Sequence, residues 1–280
     1  MSGPLAGKTA VVTGSSTGIG RVVATELAAR GARVLLANRS EEKSRVVADA
    51  IARAGGRAEH VPLDLGDVAS ARAAVDAVAA KTDRLDLLVA NAGVAGVRGA
   101  TKQGFELAFG TNHLGHFVFV TGLVPLLERA APSRVVIVAS AAHYRARHLD
   151  WDALRRPTRT WTAWPEYQVS KLCNVLFARE LARRTRAANV SVYAVHPGVI
   201  ASDLWRRLPW PIRPIVTARM RTVEEGARST LTCATDPALA GESGRYYGAD
   251  GSPKEPSTLA LDDGLARELW RRSEEWAAVA

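Results

Sequence analysis

Cysteine is scarce in this chain: Cys173 and Cys233 are the only two, far apart and in unrelated contexts. Their scarcity excludes a disulfide framework or a cysteine-built metal centre and fits a reducing compartment. Long apolar runs are missing as well, none approaching the roughly 18 residues of a membrane span. The opening stretch MSGPLAGKTAVVTG has no basic segment leading into an apolar one. No secretory leader or membrane anchor is expected, and the protein is read as cytoplasmic. Lysine is rare too, six residues in a chain of net charge +9, which leaves arginine to carry the positive charge. The arginines are scattered through helix-like segments with no accompanying motif, which argues against nucleic acid as a partner. His113, His116, His143, His148 and His196 have no ligand spacing, and no metal is expected.

What the chain does have is alternation. Short, β-branched apolar runs at 8–13, 33–37, 58–63, 85–90, 134–140, 190–196 and 244–248 have strand length. Between them lie Ala/Arg/Glu/Leu-rich segments of helix length at 18–30, 41–54, 67–81, 102–129 and 168–188. Strands apolar on both faces that alternate with helices imply a parallel sheet covered on both sides. The expectation is an α/β fold, one domain over 1–280, built on a doubly wound parallel sheet of about seven strands. Two stretches break the pattern: 141–166, and 199–221 with Pro209, Pro211 and Pro214. Both follow strands, on the carboxyl edge where open α/β sheets bind ligands, and loops this long are usually functional.

The first strand runs into TGSSTGIG, with Gly14, Ser16, Thr17, Gly18, Ile19 and Gly20. Glycines at a strand-to-helix turn let the backbone approach a pyrophosphate held at the helix N-terminus. The spacing is GxxxGxG, not the general GxGxxG, so position carries the signal: the turn follows a strand and opens a helix. After the second strand, Asn38 and Arg39 stand where a carboxylate would take a ribose 2′-hydroxyl. An arginine there suits a 2′-phosphate, favouring NADP(H), with NAD(H) as the alternative. Asp64 and Leu65 after the third strand border the adenine in this reading, and Asn91, Ala92 and Gly93 make a second small-residue turn at the same edge. In YQVSK, Tyr167 and Lys171 are four apart and share a helix face. A phenol of pKa about 10 is a poor acid or base near neutrality, and a nearby ammonium lowers it by roughly one to three units. So tuned, it becomes a usable acid and base.

Together these motifs resemble the short-chain dehydrogenase/reductase family over essentially the whole chain. TGSSTGIG, NAG at 91–93, YQVSK at 167–171 and HPG at 196–198 occur in that family's order. The resemblance implies a Rossmann fold, a catalytic set of Asn112, Ser140, Tyr167 and Lys171, and cofactor contacts that add Pro197, Gly198, Val199 and Ser202 to the residues above. It implies hydride transfer between nicotinamide and a carbonyl carbon, with Tyr167 protonating the oxygen and Ser140 hydrogen-bonding it. Lys171 would hold the ribose and lower the Tyr167 pKa, and Asn112 would hold a relay water. TNHLGHF at 111–117, SAAH at 140–143 and DDGLARELWRRSEEW near the C-terminus are similar to the retinol-dehydrogenase-like branch, itself akin to protochlorophyllide reductases. That likeness implies NADP(H), and the family's habit of pairing implies a homodimer or homotetramer. Alkene reduction on the same fold and a catalytically silent NADP-binding sensor are the competing readings.

The chain departs from the family pattern in its spacing and in one residue. Ser140 and Tyr167 stand 27 residues apart, about twice the commonest family spacing. Thr17 replaces a basic residue common in NADP-dependent members, leaving Arg39 to discriminate alone. The longer stretch carries Tyr144, Trp151, Trp161 and Trp164, and the later loop Trp205 and Trp210. These point to a bulky, apolar or aromatic small-molecule substrate, or else anchor their loops to the core. The arginines around them leave an acidic substrate open.

Overall fold

The computed structural model describes residues 3–198 and 222–279. Among them the strands are β1 Thr9–Thr13, β2 Arg33–Asn38, β3 Arg57–Pro62, β4 Leu87–Ala90, β5 Ser133–Val138, β6 Val190–Val195, β7 Tyr246–Tyr247 and β8 Pro253–Lys254. The helices are α1 Gly18–Ala29, α2 Glu41–Arg53, α3 Val68–Ala79, α4 Leu107–Phe109, α5 Gly115–Arg129, α6 Trp164–Thr185, α7 Val223–Thr235, α8 Thr258–Leu261 and α9 Asp263–Ala278. The strands form one sheet in the order β3-β2-β1-β4-β5-β6-β7-β8, parallel except for β8. β8 takes the sheet beyond the expected seven strands. Its two residues are too short to show a period, and Pro253 sits at the sheet edge, where a missing N–H is tolerated.

Both faces of the sheet are covered at its centre, which is why β1, β2, β4, β5 and β6 are largely apolar, whereas the edge strand β3, Arg57–Pro62, is half polar and only partly buried. Val11, Leu35, Leu88, Val135 and Ile137 pack under α3, α5, α6 and α9. Val12, Leu36, Val89 and Val136 pack under α1, α2 and α7 on the other side. The stretch Leu107–Arg129 is long and apolar enough to cross a membrane by composition, but 72% of that window is buried, which makes it a core helix of the first layer.

Two expected boundaries move. The helix expected from residue 102 begins at Leu107, because residues 100–106 close a tight loop with Thr101 N–H on Phe105 O at 2.9 Å. It is then interrupted by a π turn over Gly110–Leu114, which sets Asn112 on a local bulge. At the other end of the long insertion, α6 starts at Trp164 with Pro165 in its first turn, where a missing N–H is not needed.

Candidate active site

The strand order reverses between β1 and β4, so the chain leaves their C-terminal ends in opposite directions and opens a crevice. Thr13, the last residue of β1, ties the two strands together. Its Oγ1 accepts the Asn91 N–H at 2.9 Å and the Ala92 N–H at 3.0 Å. With both lone pairs taken, the Thr13 hydroxyl donates to His116 Nε2, 2.9 Å away. Gly20, in the first turn of α1, is packed so closely that a Cβ there would stand 2.3 Å from Gly14 O and 2.4 Å from Asn91 Nδ2. At Gly18, by contrast, an added Cβ would meet nothing within 4 Å. The N-terminus of α1 therefore faces open space, a cradle that fits a pyrophosphate.

At the end of β2 the structure separates two neighbours. Asn38 is buried, its Nδ2 donating to Ser15 Oγ at 3.0 Å and Ser44 Oγ at 2.9 Å, so it knits the glycine turn to α2. Arg39 is exposed beside it. Asp64 and Leu65 do not line the cavity described next: Asp64 Oδ1 holds its own turn through the Gly66 N–H at 2.9 Å, and Leu65 is buried in the core. Ser16 and Thr17 also lie outside that cavity. Val199 and Ser202, with Trp205 and Trp210, fall outside the described residues.

A cavity of about 390 Å³ sits at the carboxyl edge, lined among others by Ile19, Gly93, Ser140, Tyr167, Lys171 and Pro197. Ser140 follows β5, and its Oγ accepts the Ala142 N–H at 3.1 Å, which leaves its hydroxyl hydrogen for the phenol of Tyr167, a residue only partly exposed. Burial pushes the Tyr167 pKa above its ordinary 10, and the Ser140 hydrogen bond works against that. Lys171 is buried with Nζ 5.7 Å from the Tyr167 ring centre and donates to Val138 O at 2.9 Å. Burial depresses its pKa to about 8. The expected lowering of the phenol by the lysine is thus absent from this arrangement: the ammonium lies against the ring and holds the end of β5.

Asn112 is buried outside the cavity wall. Its Oδ1 accepts the Val94 N–H at 2.8 Å, and its Nδ2 donates to Val94 O and to Ser170 Oγ, both at 2.9 Å. Its side chain therefore fastens the exit of β4 to α6. Its main-chain carbonyl accepts from His116 Nδ1 at 3.0 Å. Because Nε2 already receives the Thr13 hydroxyl, Nδ1 must carry the proton. Burial keeps that ring neutral, with a pKa near 4.

The tryptophans divide. Trp164 lines the cavity and stacks on Tyr167, centroids 5.0 Å apart. Trp161 is 87% exposed, and Trp151 packs against Trp276 in the core. The C-terminal helix is structural: Trp270 meets Phe117 at 4.9 Å, and Trp276 meets Phe109 at 5.7 Å. His116 and His143 were not legible as site residues, because each acts on a main-chain carbonyl and leaves no side-chain spacing to find.

Comparison with known proteins agrees with this architecture. Residues 8–149 match the short chain dehydrogenase family. Human dehydrogenase/reductase SDR family member 13 is 42% identical over 99% of this chain and 75% of its own length. Mouse retinol dehydrogenase 14 is 37% identical over 99% of this chain and 88% of its own. A protein of known structure from Mycobacterium Paratuberculosis superposes with a TM-score of 0.79 at 34% identity, covering 99% of this chain and 95% of that one. The chain accordingly belongs to the short chain dehydrogenase family, in its retinol-dehydrogenase-like branch, and is an oxidoreductase acting on CH–OH groups.

Proposed function

We propose that the protein interconverts an aldehyde or ketone and the corresponding alcohol on a bulky, apolar or aromatic substrate, using NADP(H). The observation that carries this reading is the meeting of Ser140, Tyr167 and Lys171 in one cavity beside the α1 cradle. Bound there, the nicotinamide supplies or accepts the hydride. The substrate oxygen would take over the Ser140 hydroxyl hydrogen that the Tyr167 phenol otherwise accepts, and in reduction the Tyr167 proton passes to that oxygen as the C–H bond forms at carbon. The raised Tyr167 pKa suits this direction, since the phenol stays protonated at neutral pH. Lys171, with a pKa of about 8 and so still largely cationic there, would hold the ribose hydroxyls. Arg39 is free to meet a 2′-phosphate, and the neighbouring Asn38 amide is turned inward, so no carboxylate competes for a 2′-hydroxyl. Trp164, stacked beside Tyr167, supports an aromatic or polycyclic substrate.

The test is absorbance at the nicotinamide band with NADPH and NADH against aldehydes, ketones, quinones and polycyclic alcohols. NADPH should be preferred, and Tyr167→Phe should lower kcat roughly a hundredfold or more while NADPH binding persists. A Tyr167→Phe variant with full turnover sinks the assignment.

A further inference from the structure

Ser140 is held at its main-chain oxygen as well as its hydroxyl. The Ser140 carbonyl takes two hydrogens from one residue: the His143 backbone N–H at 3.1 Å and His143 Nδ1 at 2.7 Å. The other ring nitrogen, Nε2, faces the Ser257 N–H at 3.1 Å. An amide N–H can only donate, so Nε2 is the bare acceptor and Nδ1 carries the proton. His143 is fully buried, closed in by Tyr144 at 4.1 Å and Tyr246 at 4.8 Å between centroids. Burial lowers its pKa and keeps the ring neutral. Tyr144 donates to Glu255 O, so residues 255–257 are clamped to the Ser140 turn at two points. Ser257 in turn caps α8, its Oγ accepting the Ala260 N–H at 3.4 Å, which makes the clamp part of an ordered element.

We propose that His143 is a positioning residue for Ser140: locked as its Nδ1–H tautomer by the Ser257 N–H, it fixes the Ser140 peptide plane and so the direction of the Ser140 hydroxyl toward the reacting oxygen. The proposal rests on the role given to Ser140 above. The imidazole does not line the cavity, so it acts only through Ser140. An error of about one ångström in such a donor costs on the order of a hundredfold in rate.

Three substitutions separate its two hydrogen bonds. His143→Asn puts an N–H near the place of Nδ1, keeping the Ser140 carbonyl and giving up Ser257. His143→Gln puts an acceptor near the place of Nε2, keeping Ser257 and giving up the carbonyl. His143→Phe keeps neither. With NADPH and a polycyclic aromatic aldehyde as the probe, Asn should stay close to wild type. Gln and Phe should lose roughly tenfold to a hundredfold in kcat, with the NADPH KM changed less than about twofold. In a Ser140→Ala background, His143→Gln should cost nothing further in kcat, because the hydroxyl it aims is gone. Equal losses in all three variants, or a full additional loss in the Ser140→Ala background, overturn the proposal. A wild type without NADPH turnover would instead fail the functional reading. In that event the ¹⁵N spectrum of the wild-type protein still decides: Nδ1 of His143 must resonate as the protonated, pyrrole-type nitrogen, and a protonated Nε2 overturns the proposal.

Discussion

The two banks of the crevice are fastened in different ways. On the nucleotide bank, Thr13, Asn91, Ala92 and Gly20 meet through backbone groups and short side chains, close enough that one added methyl would collide with Gly14 O at 2.3 Å. On the substrate bank, side chains do the fastening: Glu106 takes the Thr158 hydroxyl at 2.5 Å and His143 the Ser257 N–H at 3.1 Å across distant segments, and Glu166 takes the Thr160 hydroxyl at 2.5 Å within the insertion. The first bank has one acceptable geometry because backbone cannot yield. The second has slack, since a side chain can be replaced by another that makes the same bond. A rigid wall facing an adjustable one is what this division of labour provides.

Acid should test the seam between the banks most severely. His116 joins β1 to the Asn112 bulge, and His113 joins the same stretch to α9 through Ser273 at 2.9 Å. Burial pushes the His113 pKa to about 3 and that of His116 to about 4. Each folded-state value lies below the ordinary 6.5, so the unfolded chain takes up protons that the folded one refuses. The stability tied to these rings is therefore complete above pH 6.5 and is lost as pH falls toward 4. At about 1.36 kcal/mol per unit, the pair amounts to roughly 6 kcal/mol at pH 4. Urea unfolding at pH 7, 5.5 and 4 should show the decline, and His113→Phe paired with Ser273→Ala should flatten about half of it. An unchanged slope in that double variant would mean the histidines are not the acid-sensitive link.

Gly20→Ala is the next largest expected effect and falls wholly on the nucleotide bank. The new Cβ can be housed only by moving Gly14 O or the Asn91 amide, which costs about 3 kcal/mol of stability. NADPH binding, followed by quenching of tryptophan fluorescence, should fall at least tenfold. Binding retained at wild-type strength would show that this bank has slack too.

This difference also decides what could be read from the sequence. β1 to β6 stand within two residues of their expected places; in all but the edge strand β3, burial on both faces writes a largely apolar run. The glycine turn, Arg39 and the Tyr167–Lys171 pair stand out as candidates because each is a local pattern, whereas nothing local tells that the Asn38 amide faces inward to Ser15 and Ser44. The substrate bank was not legible. Glu106 meets Thr158 across 52 residues and His143 meets Ser257 across 114, and no local period records such a contact. The start of the Leu107 helix was missed for the same reason: Glu106 caps it while serving the insertion. Trp151 and Trp161 look alike in the sequence, and only the position of α9 makes the first a core residue.

The smallest expected effect belongs to the substrate bank and measures its slack. Glu106 is buried, its Oε2 accepting the Phe109 N–H at 2.7 Å and its Oε1 the Thr158 hydroxyl at 2.5 Å. Burial is the main cause holding its pKa above the ordinary 4.5, against these bonds. A raised acid binds its proton more tightly when folded, so stability falls as pH rises from 4.5 through the raised value, and the cost persists at neutrality. Glutamine removes the charge and keeps both contacts: its oxygen accepts the Phe109 N–H, and its amide donates to Thr158 Oγ. The Thr158 hydroxyl hydrogen is then released to Gly99 O, 3.0 Å away. Glu106→Gln should therefore be more stable than wild type by about 1 kcal/mol at pH 7.5 and equal to it near pH 4, whereas Glu106→Ala should be less stable at both. Thermal melts at the two pH values check this. A glutamine variant weaker than wild type at pH 7.5 would mean that the carboxylate charge itself holds the insertion, and that the substrate bank is as unyielding as the bank it faces.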